Sequence, residues 1–557
     1  MTPPRWLDPA TDPDDELKPI PDVRSDLRPQ EVRVVVRKDR SLERSIALVS
    51  LVVYLAAAVW MRAGLGYSIG DSLARSANAR AMVSSRFPGL APVGFVWMPL
   101  PTLIQVPFVI VLSPFHLAAY SGPFSSAFCG ALTAYLLVRS CQTWGLSSKL
   151  TAALVLCYSL NPIVIFHQAN GMSEGVYFLC LALLLHGFLG WTSKATNQSL
   201  LTMAVALSAA TIVRYETLVF IPIVALGVAL QSRDRSWTNV MRGVRSGFVV
   251  ALPSLYAFFL WLLASRLIVG DAFYWRKKLT AQLGTPKGSI WIPDERNWVT
   301  GFFYISRWSM LLAPGLIVLV PLLFGRRKKL VVGSNWISLF AVFFPGLLLY
   351  LFAHNETSAA ARYFAPLLIF PTVISISLLA RRKNDPAPFG RYWWFAQTAV
   401  LLMAMAGTVT GSLAFTDQRA TAIENEFSVF RPGFGKTFTS NDAVDTTVRL
   451  WQRSTAAIDA ELSSRPGSIV AIDMASAFRT FGFTRYPGRF VIDADKDYER
   501  LLAAGADLRG VDFVFLKGGD KSSALWVAVD RMSPAVWEVP IDVPNGTLYK
   551  RKIATIG

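Results

Sequence analysis

The stretch "IALVSLVVYLAAAVWMRAGLGYSIGDSLARSANARAMVSSRFPGLAPVGFVWMPLP", residues 46–101, contains the two features on which the fold turns. Its first part, Ile46 to about Met61, is an apolar run of membrane-spanning character. Directly beyond it come Asp71, Arg75, Arg80 and Arg86, charged groups that a bilayer accepts only when they are paired or facing water. The segment "RVVVRKDRSLERS" precedes the run. By the positive-inside bias, those basic residues set the amino terminus in the cytoplasm and the Asp71 segment at the outer face.

The whole chain has the same character. Its 557 residues are 53% hydrophobic and only 17% charged, with a mean hydropathy of +0.40, too apolar for a soluble protein of this length. The formal charge of +18 does not point to nucleic acid, because the basic residues cluster in short loops between apolar runs. Residues 1–44, rich in proline and acid at their start, lack the apolar core of a signal peptide and read as a disordered cytoplasmic tail. The four cysteines lie in or beside apolar runs without metal-ligand spacing and read as small core hydrophobes.

Further apolar runs follow at 122–138, 150–167, 175–191, 199–213, 217–230, 247–268, 302–324, 333–353, 363–380 and 392–414. With the first they predict a polytopic α-helical membrane protein of about eleven spans. If each run crosses once, Arg139 with Lys149, Lys194, "QSRDRSWTNVMRGVRS", "GRRKKL" and "ARRKNDPAPFGR" all fall on the cytoplasmic side. This parity requires residues 97–117, with prolines at 99, 101, 107 and 114, to be an outer-face or re-entrant segment instead of a crossing.

From about residue 415 the pattern changes. The runs "SIVAID", "RFVID" and "DFVFLK" read as short strands, and "DKDYERLLAAGADL" as a helix. They predict a small α/β domain over 415–557, extracytoplasmic by parity, beyond a membrane domain over 45–414. Without cysteines it depends on its own core, and its expected role is docking or acceptor binding.

Five loops on the predicted outer face carry ionisable groups: Asp71 with its arginines; Glu174 in "FHQANGMSEGVY"; Arg214 and Glu216 in "VRYET"; Asp271, Arg276, Lys277 and Lys278; and His354, Glu356 and Arg362 in "HNETSAAARYF". Taken singly, each could be a solvated span end, and Asp71 with Arg75 a simple i, i+4 helical pair. Arg214 and Glu216 lie between two apolar runs with almost no polar linker, which argues for a function. Acids among cations beside a bilayer suit a lipid-phosphate leaving group and a hydroxyl nucleophile, the cations stabilising the phosphate and a carboxylate taking the proton. With four histidines, no HExxH and no clustered cysteines, the chain indicates no metal and no cofactor, and a divalent cation stays open without being indicated.

An acid in the first outer loop, a second acid in "NPIVIFHQANGMSEG", a basic residue between two runs in "VRYETLVFIPI", and "ARYFAPLLIFP" together resemble the GT-C integral membrane glycosyltransferases over roughly residues 45–414. The layout is similar to that of lipid A aminoarabinose transferases and protein O-mannosyltransferases, and the external α/β tail to actinobacterial cell-envelope members. The resemblance implies a polyprenyl-phosphate sugar as donor, a glycan, glycolipid or protein as acceptor, and inversion at the anomeric carbon, in the plasma membrane. It implies Asp71 as catalytic base and Glu174, where the family more usually has aspartate, as a second acid. Arg214 and Arg362 become donor-phosphate ligands, and Arg75, Glu216, Lys277, His354, Glu356 and Tyr363 join the substrate-binding set. Arg75, Arg80 and Arg86 are expected to meet lipid or donor phosphates from an interfacial helix anchored by Phe95 and Trp97. A lipid or sugar transporter or flippase is the alternative; it would place charges or broken helices near the midplane. A non-catalytic scaffold is a third reading.

Overall fold

A computed structural model describes residues 39–229, 237–277, 295–316, 334–354, 361–379, 392–416, 448–503, 508–518, 524–531 and 536–552. The membrane part is helical. Helix α1, Arg40–Val59, starts where the Asp39 carboxylate accepts the Leu42 amide at 3.1 Å, and it runs into a single π turn, Trp60–Gly64. After it come α2 Gly70–Ser84, α3 Leu100–Leu112, α4 Ser121–Thr143, α5 Ser148–Ser159, α6 Pro162–Ala169, α7 Ser173–Lys194, α8 Asn197–Thr211, α9 Phe220–Ala229 and α10 Trp237–Val269. Four further helices, Trp298–Leu312, Ser334–Ala353, Ile369–Leu379 and Trp393–Thr416, complete the membrane part as described.

Among the described residues, five helices are long and apolar enough to cross a bilayer, or six if the bent pair α5 and α6 counts as one. The predicted run 150–167 is that pair, and it is not a straight span. It breaks after Ser159 because Pro162 has no amide to donate and its ring forces Asn161 into an extended conformation (ψ 125°), so the two helices meet at 62°. Asn161 then caps α6, its side chain accepting the Ile163 amide at 2.9 Å. The runs 199–213 and 217–230 are the short helices α8 and α9, separated at Arg214. Residues 97–117 form α3, whose 13 residues are too few to span the bilayer unaided.

Helix α4 packs between α1 and α7, and α8 between α7 and α10, around one core that includes Phe166, Tyr177, Trp308 and Phe352. The far sides of α10 and of Trp393–Thr416 leave Phe248, Leu252, Phe259, Trp394, Phe395 and Leu413 exposed, as lipid-facing surfaces require.

The carboxy-terminal unit is a five-stranded sheet in the order β2-β1-β3-β5-β4, flanked by helices. Strands β1 Val470–Ala471, β2 Phe490–Val491 and β3 Phe513–Lys517 fall inside the three predicted runs and pair in parallel. The sequence reading missed β4 Ile541–Val543 and β5 Gly546–Lys550, an antiparallel hairpin whose turn places Asn545 at φ 67°. The predicted domain boundary near 415 adjoins residues 417–447, outside the described set.

Helix α2 is the joint between the two parts. Its Ala77 and Ala81 are fully buried in the core of the C-terminal unit, small enough for helix Met474–Phe483 to approach closely. Val448 donates its amide to the Gly66 carbonyl at 2.8 Å, and Arg449 donates to the Gly64 carbonyl at 3.0 Å.

Candidate functional site

Asp71 lies in the first turn of α2, where the helix dipole favours a negative charge. Its Oδ2 meets Nη1 of Arg362 at 3.5 Å, with the carboxylate side chain 37% exposed. Arg362 is the second residue of the 3-10 stretch Ala361–Leu368, held against α7 and helix Trp298–Leu312. Two of the sequence-predicted loops are thereby joined.

A second group forms around Arg214. It donates through Nη1 to Glu174 Oε1 and through Nη2 to Glu216 Oε1, each at 3.0 Å. The guanidinium carbon also lies 4.9 Å from the Tyr363 ring centre and 5.6 Å from that of Tyr177. Arg362 is 5.7 Å from the same Tyr363 ring, so both arginines contact Tyr363. Glu174 is 1% exposed, and its Oε2 has no hydrogen-bond partner. Charges buried this deeply persist only when paired, which is the service Arg214 performs.

The loops that carry Asp71 and Glu174 are tied directly. Ser72 donates its hydroxyl to the Asn170 carbonyl, and Asn170 accepts the Met172 amide at 2.8 Å. Gly171, at φ +83°, makes the approach possible: a Cβ there would lie 2.6 Å from Ser72 Oγ and 2.7 Å from the Gly122 carbonyl carbon. Arg62, buried in the π turn after α1, donates to the Ala119 carbonyl and to Ser68 Oγ at 2.6 Å. It also reaches Ser72 Oγ at 3.4 Å, bracing the residue next to Asp71.

The other predicted residues fall differently. Arg75 does not form the simple helical pair with Asp71. Its Nη1 donates to the Met98 carbonyl at 3.3 Å, its guanidinium lies 5.0 Å from the Trp97 ring centre, and its Nε is buried without a partner. Burial pulls this guanidinium down to about 10, which leaves it charged at neutral pH, with Asp71, Glu174 and Arg362 all close enough to act on it. Arg80 and Arg86 are not presented to lipid phosphate through their known contacts: Arg80 donates to the carbonyls of Phe481, Gly482 and Thr484, and Arg86 pairs with Asp497 at 3.3 Å. Phe95 is no interfacial anchor, because it is 3% exposed and stacks on Trp261 at 4.6 Å. Lys277 pairs with Asp271 of its own loop at 2.6 Å. His354 stacks on Tyr350 at 4.3 Å and meets Trp298 edge-on. Glu356 and Lys278 lie outside the described residues.

Sequence reading missed Arg62, Tyr177 and His167. His167 is 1% exposed with both ring nitrogens unpartnered, within electrostatic reach of Glu174, Arg214 and Arg362. Its signal was available, since an imidazole in an apolar turn just before "SEG" has to be paid for by a neighbour. Among the described residues, no group of three or more His, Cys, Asp or Glu side chains is placed to hold a metal ion.

No protein-family profile and no curated protein matches the sequence. Among solved structures, the chain is similar to ArnT from Cupriavidus metallidurans bound to undecaprenyl phosphate, at 13% identity and a TM-score of 0.50. The match covers 93% of this chain and 100% of that one. The likeness is one of fold, and it extends over nearly the whole chain.

Proposed function

We propose, from the shared fold and the convergence of Asp71, Arg362, Arg214 and Glu174, that this chain is a plasma-membrane glycosyltransferase. It moves a sugar from a polyprenyl-phosphate donor to an acceptor hydroxyl at the outer face. ArnT was solved with undecaprenyl phosphate, and a donor of that lipid class suits the cationic groups beside Asp71 here. The observation that carries the reading is the Asp71–Arg362 pair, a partly exposed carboxylate held by a cation from a distant loop.

The pair gives the reaction an order. Arg362 orients the Asp71 carboxylate and occupies Oδ2, the oxygen that it contacts. A donor phosphate that draws Arg362 away frees the carboxylate to take the proton from the acceptor hydroxyl as that oxygen attacks the anomeric carbon. The sugar–phosphate C–O bond breaks, the phosphate leaves on Arg362 and Arg75, and the configuration inverts without a covalent enzyme intermediate. Arg214 is already shared between two carboxylates, so its role is to hold Glu174 and Glu216 in place, and the phosphate falls to the other two arginines.

The test supplies purified protein with a panel of polyprenyl-phosphate sugars and crude envelope acceptors, and follows released polyprenyl phosphate. Turnover by wild type and none by Asp71→Asn supports the reading; turnover by both removes Asp71 as base. A transporter reading draws on the bent α5/α6 pair and the buried His167 and Glu174. Movement of an intact polyprenyl-phosphate sugar across proteoliposomes without release of the sugar would favour it.

A further inference from the structure

Apart from the Asp71 pair, a groove of about 450 Å³ opens between the membrane part and the C-terminal unit, within the size range of ligand sites. Ile110, Ser113 and His116, from the end of α3 and the turn beyond it, form one wall. Arg80 and Ser84 of α2 and Arg485 of the C-terminal unit form the other. Arg80 and Arg485 are cations, the His116 imidazole can donate a hydrogen bond, and no carboxylate lines the groove among the described residues.

The lining is held in place from behind. The Arg485 amide donates to the buried Asp459 carboxylate at 2.9 Å, which fixes the backbone and leaves the Arg485 side chain exposed. His116, also exposed, sits in a left-handed turn at φ 57°. Two donors lining the groove, Arg80 Nε and Ser113 Oγ, are shielded from water and have no hydrogen-bond partner. At the rim, Ile110, Val111 and Phe115 are 59%, 65% and 69% exposed. Such a run on an apolar helix needs a cover, and acyl chains supply one.

We infer that this groove binds the acidic headgroup of a bilayer phospholipid. The phosphate meets the exposed side chains of Arg485 and His116, and an acyl chain lies along Ile110, Val111 and Phe115. The ligand would thus bridge the membrane part and the C-terminal unit. This inference rests on the membrane fold and is independent of the transferase reading.

The full-length protein, purified in detergent, would be equilibrated with mixed micelles of phosphatidylglycerol and phosphatidylcholine and its retained lipid weighed by native mass spectrometry. Wild type should retain phosphatidylglycerol in preference by about tenfold or more, the size expected of charge-assisted hydrogen bonds. The exposed-site variants Arg485→Gln with His116→Gln, and separately Ile110→Glu, should lose that preference while undecaprenyl phosphate binds as before. Equal retention of both lipids by wild type, or an unchanged preference in both variants, overturns the proposal. So does loss of undecaprenyl phosphate instead of phosphatidylglycerol, which gives the groove to the donor, or displacement of the lipid by soluble glycerol phosphate, which gives it to a free anion.

Discussion

Asp71 and Arg362 are 291 positions apart in the chain, yet their side chains meet at 3.5 Å, joining the first turn of α2 to the 3-10 stretch late in the membrane part. Neither residue owes its neighbour to local structure. The pair exists because the helices between them close into one bundle.

If Asp71 takes the acceptor proton, Asp71→Asn should lower turnover by about 10²–10⁴-fold, the usual worth of a positioned base. Donor binding should change little, because asparagine keeps the shape of the site. Release of polyprenyl phosphate, measured beside a donor-binding titration, separates the two effects.

Arg362→Ala should chiefly weaken the donor. Loss of a charged hydrogen bond, about 1.5–3 kcal/mol, corresponds to roughly 10- to 150-fold in donor affinity. Arg362→Lys keeps the charge and should recover part of the loss. An Arg362→Ala variant with wild-type donor affinity would return the residue to a purely structural part.

Arg214→Ala leaves Glu174, 1% exposed, without the cation that offsets its burial. The expected cost is about 3–5 kcal/mol of stability, seen as a lower melting temperature in detergent. Adding Glu174→Gln should restore part of it by removing the stranded charge. Equal melting of the single and double variants would show that Arg214 does not act through Glu174.

Gly171→Ala forces a side chain into a left-handed position with a Cβ 2.6 Å from Ser72 Oγ. Strain of this kind costs of order 1–3 kcal/mol. Because the same turn ties the Asp71 and Glu174 loops, turnover should fall together with the melting temperature. Gly510, at φ +96° with open space around it, is the control: Gly510→Ala should lower melting without touching turnover.

Asp459 in helix Val448–Ser464 accepts Thr484 Oγ1–H at 2.5 Å and the Arg485 amide, but burial still raises its carboxyl above the usual range. A folded value above the unfolded one means that its contribution to stability is complete below the unfolded value of about 3.9 and is lost as pH rises through the folded value. Asp459→Asn should therefore gain on wild type in melting temperature as pH rises across that window. A difference that is flat with pH would remove burial as the cause.

Several features of this protein were legible in its residues alone. Apolar runs as long as Ile46–Met61 demand a bilayer, and the alternation in "SIVAID", "RFVID" and "DFVFLK" demands a small sheet, because both patterns are set by local period and hydrophobicity. Charges at Asp71, Glu174, Arg214 and Arg362 stood out for the same reason, as costly groups at the ends of apolar runs. Their pairing was not legible: sequence spacing suggested Asp71 with Arg75, whereas the fold gives Asp71 to Arg362 and Arg214 to two glutamates. Nor could the chain alone show that Arg80 and Arg86 serve the C-terminal unit, or that Phe95 is buried under Trp261. Hydropathy and period are properties of neighbours along the chain. Which cation meets which carboxylate depends on contacts between segments hundreds of residues apart, and only the packed bundle decides them.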